Sequence, residues 1–138
     1  MIRANINITS KKYVSLIESK SVRFDNVYQR GAVWSIPRCS LLIHSIMYNY
    51  PVPPLYAIEA DGVYDILDGQ QRSLAIYAFK NNEYTLKNVE PVRYTDSDGT
   101  MTKLDINGMK FKDLPEILQE RIDDYSLDIV CFKNITQE

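Results

Sequence analysis

The spacing of apolar and polar positions changes several times along the chain, and each change marks an element. Thr9 or Ser10 can cap a short helix running through Glu18, with Val14, Leu16 and Ile17 as its apolar contacts. Ser21 to Phe24 reads as a short strand, and Asp25 to Trp34 as a loop. Ser35 caps a second helix, with Pro37 in its first turn, where a missing N–H costs little. At about 100° per residue, Cys39, Leu42, Ile43, Ile46, Met47 and Tyr50 share one face of this helix. Arg38, Ser45 and Asn49 share the other. Cys39 is therefore read as a buried thiol, and His44, at the stripe's border, as a packing or surface residue.

Pro51-Val52-Pro53-Pro54 ends that helix and forces an extended path. Leu55 to Ala60 and Val63 to Leu67 flank Asp61-Gly62, a two-residue loop of the kind hairpins favour. The second of these strands runs straight into Asp68-Gly69, and a third helix follows to about Asn82. Tyr84 to Leu86, Pro91 to Tyr94 and Thr102 to Ile106 are expected as short strands. They are punctuated by turns at Asp96-Ser97-Asp98-Gly99 and Asn107-Gly108. The first turn lacks the later ligands of a calcium loop. Leu114 to about Asp124 reads as a helix and Ser126 to Phe132 as a final apolar strand. Thr136 then looks like the start of a further helix, so the expectation is one domain over residues 1–138, truncated or excised at its C-terminus.

Composition narrows the class. The 138 residues are 45% hydrophobic, enough for one core. No run approaches the roughly 18 apolar residues of a membrane span, and the N-terminus lacks the apolar block of a secretory signal. A cytoplasmic protein with no membrane partner is expected. Cys39, Cys131 and His44 are too few and too scattered for a disulfide framework or a zinc cage. The net charge of −2 hides an asymmetry, +5 over residues 1–38 and −7 over the remainder. An acidic body argues against general polyanion binding, while a compact anion site fed by the basic first segment is compatible with it.

The Asp68-Gly69-Gln70-Gln71-Arg72 turn is the best candidate for that site. The first turn of a helix exposes unpaired N–H groups at the positive end of its dipole. Gly69 removes a Cβ that would block close approach, and Arg72 brings a fork suited to phosphate. With Arg72 at 0°, Phe79 falls at about −20° and Ile76 at about 40°, while Ser73, Lys80 and Asn81 spread between about 80° and 180°. Arg72 thus lies within the apolar stripe rather than on the solvated face with Ser73, Lys80 and Asn81. Its side chain should lean back over the turn, where Asp68, Asp65 or a bound phosphate would be its partner. A structural alternative stands beside this, since Asp68 and Gln71 have the spacing of a capping box.

Larger blocks of the chain carry a resemblance. Phe24, Tyr28-Gln29-Arg30, Val33-Trp34, Leu42-Ile43 with Ser45-Ile46, Pro51 to Tyr56 and Asp68 to Leu74, in that order, resemble the N-terminal domain of GmrSD-type restriction proteins. The likeness is strongest over about residues 20 to 80. It implies an α+β fold similar to ParB and sulfiredoxin: a mixed sheet with a β-hairpin and flanking helices. It also implies that the turn binds nucleotide phosphates and supports hydrolysis of a nucleoside triphosphate (NTP) with Mg²⁺. Gly69, Gln70 and Gln71 would offer donors to the phosphates. Arg72 would neutralise their charge, and Asp68 would hold the metal or orient water. On that basis Asp68, Gln71 and Arg72 are the candidate catalytic residues. Gln29 and Arg30 would meet the same anion from the opposite wall, and Tyr28 would stack on the base or close the core. Trp34 is read as a packing anchor.

The family's HNH nuclease histidines are absent from this chain, and there is no Walker-type motif. Three functions follow as expectations. The first is an NTP-binding, NTP-hydrolysing sensor domain of a modification-dependent restriction or phage-defence system, or of a phage-encoded relative. The second is a binding module without turnover that regulates a partner nuclease or mimics a defence protein. The third is direct DNA binding through the basic first segment. Expected partners are a nucleotide, a partner nuclease or the C-terminal part that normally follows, and a second copy of the chain as a homodimer. DNA is expected only indirectly under the first two.

Overall fold

The computed structural model describes residues 2–24 and 33–133. Strand β1 (Ile2–Thr9) leads into helix α1 (Ser10–Glu18), and β2 (Val22–Phe24) follows. Then come α2 (Ile36–Met47), β3 (Leu55–Ala60), β4 (Val63–Asp68) and α3 (Gln70–Lys80). Strands β5 (Val92–Thr95) and β6 (Met101–Leu104) form a separate hairpin. A 3₁₀ turn (Phe111–Asp113), α4 (Glu116–Asp123) and β7 (Ser126–Lys133) complete the described fold. Five strands make one mixed sheet in the order β1-β7-β3-β4-β2, with β1–β7 and β3–β4 antiparallel and β7–β3 and β4–β2 parallel. The architecture is α+β, as expected.

Register explains the layering. Leu55 pairs with Ile129, and Ala57 stands between Cys131 and Ile66, so these residues share one face of the sheet. All are buried, in one core with Ile43, Ile46, Met47, Ile76, Phe79, Leu118 and Ile122 from the helices. Tyr56, on the opposite face, is exposed. Local chemistry sets the element ends. Thr9 accepts a hydrogen bond from the Lys12 N–H, and Ser35 accepts one from the Arg38 N–H, as their N-cap positions require. Asp61 and Gly62 both take positive φ (53° and 77°), the conformation a two-residue hairpin loop needs.

Four expectations are corrected. Residues 2–9 form β1, paired along its whole length with β7, although no strand is read there from sequence. Tyr84 to Leu86 is not a strand. Leu86 makes backbone bonds to Met109 and Gly108, and Asn88, at φ 60°, breaks the extended path. Tyr50 does not join the α2 stripe, because Asn49 (φ 56°) ends the helix and leaves Tyr50 exposed. Ser73 and Lys80 do not lie on a solvated face. Ser73 is fully buried and Lys80 pairs with Asp123 beneath the Phe111 ring. The proposed loop at Tyr28-Gln29-Arg30 and the helix start at Thr136 lie outside the described residues.

Candidate functional site

Strand β4 delivers the turn through an irregularity. Ala57 pairs with Ile66 while Tyr56 pairs with Asp68, so Leu67 is an extra residue on β4. A bulge of this kind bends a strand end and re-aims the side chains that follow. Gly69 then adopts φ 100° and ψ 17° as the N-cap of α3. Among the described residues no side chain caps the helix, so the N–H groups of Gln70, Gln71 and Arg72 face outward from its first turn. The capping box expected between Asp68 and Gln71 is not formed. Asp68 is still paired in the strand, so the helix starts one residue later than that motif requires.

Arg72 sits as its place on the helix predicts. Its side chain is 15% exposed and folds back over the glycine bend. Nη2 donates to the Pro54 carbonyl at 2.8 Å and lies 3.7 Å from the Asp68 carboxylate, whose own side chain is 70% exposed. Asp65 is not its partner but pairs with Arg23 at 3.1 Å. The two glutamines are held from one end each. Gln70 is buried and donates from Nε2 to the Ile66 carbonyl, while Gln71 Oε1 accepts from the Trp34 N–H. Their other ends, Gln70 Oε1 and Gln71 Nε2, are buried without a hydrogen-bond partner among the described residues, as is Arg72 Nε. Buried polar atoms are normally paired, so three such atoms on consecutive residues call for an explanation.

A cavity of about 310 Å³ lies against the turn, lined by Asp68 to Arg72, Leu67, Trp34 and Arg38. Arg38 is a residue that sequence reasoning missed. Its guanidinium stacks over Trp34 at 4.3 Å from the ring centre and brings a second cation to the cavity. The available signal was its place one turn into a helix after the Val33-Trp34 block. Trp34 is partly buried against the core, which agrees with an anchoring role. Of the residues expected to bind the anion, the structure gathers Asp68, Gly69, Gln70, Gln71 and Arg72. Tyr28, Gln29 and Arg30 fall outside the described residues. Among the described residues no three His, Cys, Asp or Glu side chains cluster as a metal site. No helix among them is long and apolar enough to cross a membrane.

Behind the turn, α1 braces it. Tyr13, fully buried, shares a 2.7 Å hydrogen bond with Ser73 Oγ, which also lies 2.9 Å from the Gly69 carbonyl and donates to it. Burial pushes the Tyr13 phenol well above its ordinary range, outweighing the opposing influence of Ser73 and Arg72. A raised folded-state value means that the unfolded chain gives up this proton first as pH rises. The Tyr13 contribution to stability is therefore fully present below about pH 10 and falls above it. Tyr13→Phe should cost about 1 kcal/mol near neutral pH and flatten the alkaline decline. Urea titrations from about pH 8 to about pH 11 check both effects, and an unchanged alkaline slope would count against the assignment.

A mixed sheet whose hairpin strand feeds a glycine bend and an uncapped helix start, with two arginines beside it, defines an α+β domain with a candidate anion site. The chain belongs to the family described as the GmrSD restriction endonuclease N-terminal domain, whose sequence profile it matches over residues 11–136. Comparison with curated proteins and with solved structures found no match. The family sets the chain in the context of restriction proteins.

Proposed function

We propose that the Asp68–Arg72 turn binds the phosphates of a nucleoside triphosphate, and that the domain acts as an NTP-responsive module of a restriction or phage-defence protein. The two unpaired donors, Gln71 Nε2 and Arg72 Nε, beside a cavity, carry this reading. Gln71 Nε2 and Arg72 Nε are donors that an anion would satisfy. The outward N–H groups of the first turn add more, at the positive end of the α3 dipole. Arg38 from α2 and Arg72 from α3 both line the cavity and supply positive charge. The missing Cβ at Gly69 lets Leu55 and the Arg72 guanidinium pack against the bend, which holds the Arg72 charge at the turn.

Asp68 suits a divalent cation that takes most of its ligands from phosphate and water, as Mg²⁺ does, because its carboxylate is exposed at the cavity's edge. When bound, Mg²⁺ would neutralise charge on the phosphate oxygens. In hydrolysis Asp68 orients the attacking water, Gln71 Nε2 donates to a phosphate oxygen, and Arg72 offsets the charge that develops during transfer. Among the described residues the cavity presents one carboxylate, and that favours a second reading, a module that binds NTP without turnover.

A thermal-shift series separates the two. A nucleoside triphosphate with Mg²⁺ at 100-fold its dissociation constant should add about 2.7 kcal/mol of stability. For a chain of this size the melting temperature should rise by about 7–11 °C. An unchanged melting curve with all four nucleotides would sink the phosphate site. Phosphate release above blank, lost in Asp68→Ala, would establish hydrolysis. A thermal shift without release would leave the binding module.

A further inference from the structure

A second opening adjoins the turn. It is a groove of about 250 Å³ between α2 and α3. Its floor on α3 comes from Gln71, Leu74, Ala75 and Ala78, whose i, i+3, i+4, i+7 spacing forms one stripe along the helix. Ala78 is short and only partly buried, and that leaves the groove accessible beside the buried Ala75. Trp34 stands at one wall and Tyr84 at another. Every other lining side chain is apolar or aromatic except Gln71 and Glu83. Trp34 and Gln71 also line the cavity at the turn, so the two openings share a wall. From Gln71 to Ala78 the helix rises about 10 Å, comparable to the length of a nucleoside.

We propose that this groove is the nucleobase subsite of the ligand whose phosphates occupy the turn, an inference that rests on the phosphate assignment above. Flat apolar surface between aromatic walls suits a planar heterocycle, which gains from stacking whatever its identity. One polar group, Glu83, is placed to read the edge of the ring, since Gln71 Nε2 is committed to a phosphate oxygen. The exposed Glu83 carboxylate accepts from an exocyclic amine or ring N–H. The ligand then lies along α3, phosphates at the N-terminus and base over Ala75 and Ala78. Gln71 and Trp34 sit at the junction.

The test compares inorganic tripolyphosphate with ATP, GTP, CTP and UTP, each with Mg²⁺, by isothermal titration on the 138-residue chain. At least one nucleotide should bind about tenfold or more tighter than tripolyphosphate. Ala78→Leu, which fills the groove, should bring that nucleotide to within about threefold of tripolyphosphate and leave tripolyphosphate itself unchanged. Trp34 is the only tryptophan, so its emission gives a second readout in the unaltered chain. It should respond to the nucleotide beyond any response to tripolyphosphate. Equal affinity for tripolyphosphate and all four nucleotides overturns the base subsite while the phosphate site stands. So does a nucleotide advantage that survives Ala78→Leu. Failure of every one of these ligands to bind overturns both assignments.

Discussion

Gly69→Ala should lower the stability of the domain by about 2–5 kcal/mol. Two independent terms add. At φ 100° an L side chain is strained whatever surrounds it, which costs about 1–2 kcal/mol. A methyl group there would also overlap Leu55 Cδ2 and stand 3.0 Å from Arg72 Nη2. Leu55 is buried in the sheet and Arg72 is held by Pro54, so neither has an easy retreat. Crowding of this kind costs about 1–3 kcal/mol. The melting temperature should fall by about 10 °C. Gly62→Ala is the control, since Gly62 also has positive φ (77°) but open space around it. It should show the backbone term alone, about 1 kcal/mol. If calorimetry gave equal losses for both variants, the turn would be soft, and close packing at Gly69 would not define the site.

That control pair also shows where the sequence was legible. Asp61-Gly62 between two apolar runs specifies a hairpin through local dihedral preference, and the structure has it. The caps at Thr9 and Ser35 were readable for the same reason, since an oxygen within reach of a free N–H is a local event. Arg72 was readable because helix geometry alone aims its side chain. The losses are tertiary. Ser73 carries a polar label on the wheel, but α1 packs over that side and Tyr13 satisfies its hydroxyl in the core. Strand β1 does alternate, with Ile2, Ala4, Ile6 and Ile8 on one face. Its asparagines disfavour a strand, though, and its partner β7 lies at the far end of the chain. The bulge at Leu67 and the Pro54 carbonyl that holds Arg72 depend on how β3 and β4 meet. No local pattern announces either. Arg38 was missed because an arginine on the polar face of a helix looks like any solvated charge until Trp34 is placed beneath it.

Substitution of Arg72 should cost both stability and nucleotide binding. Because Nη2 holds the Pro54 carbonyl at 2.8 Å, Arg72→Ala does more than delete a charge. It leaves a carbonyl without its donor and opens space beside Gly69, so stability should fall by about 1–3 kcal/mol. Nucleotide binding should weaken by about 100-fold or more, since a buried charge-assisted contact to phosphate is lost. Arg72→Lys separates the two roles. The ammonium keeps the charge, but it has no fork with which to hold Pro54 and a phosphate oxygen at once. The lysine variant should therefore bind about tenfold more weakly than the unaltered chain, with the smaller loss of stability. Titrations well below the melting temperature of each variant keep unfolding out of the comparison. Lysine equal to arginine would mean that charge alone serves. Undiminished binding in the alanine variant would mean that phosphate sits elsewhere, and that the unpaired atoms of Gln70 and Gln71 have some other purpose.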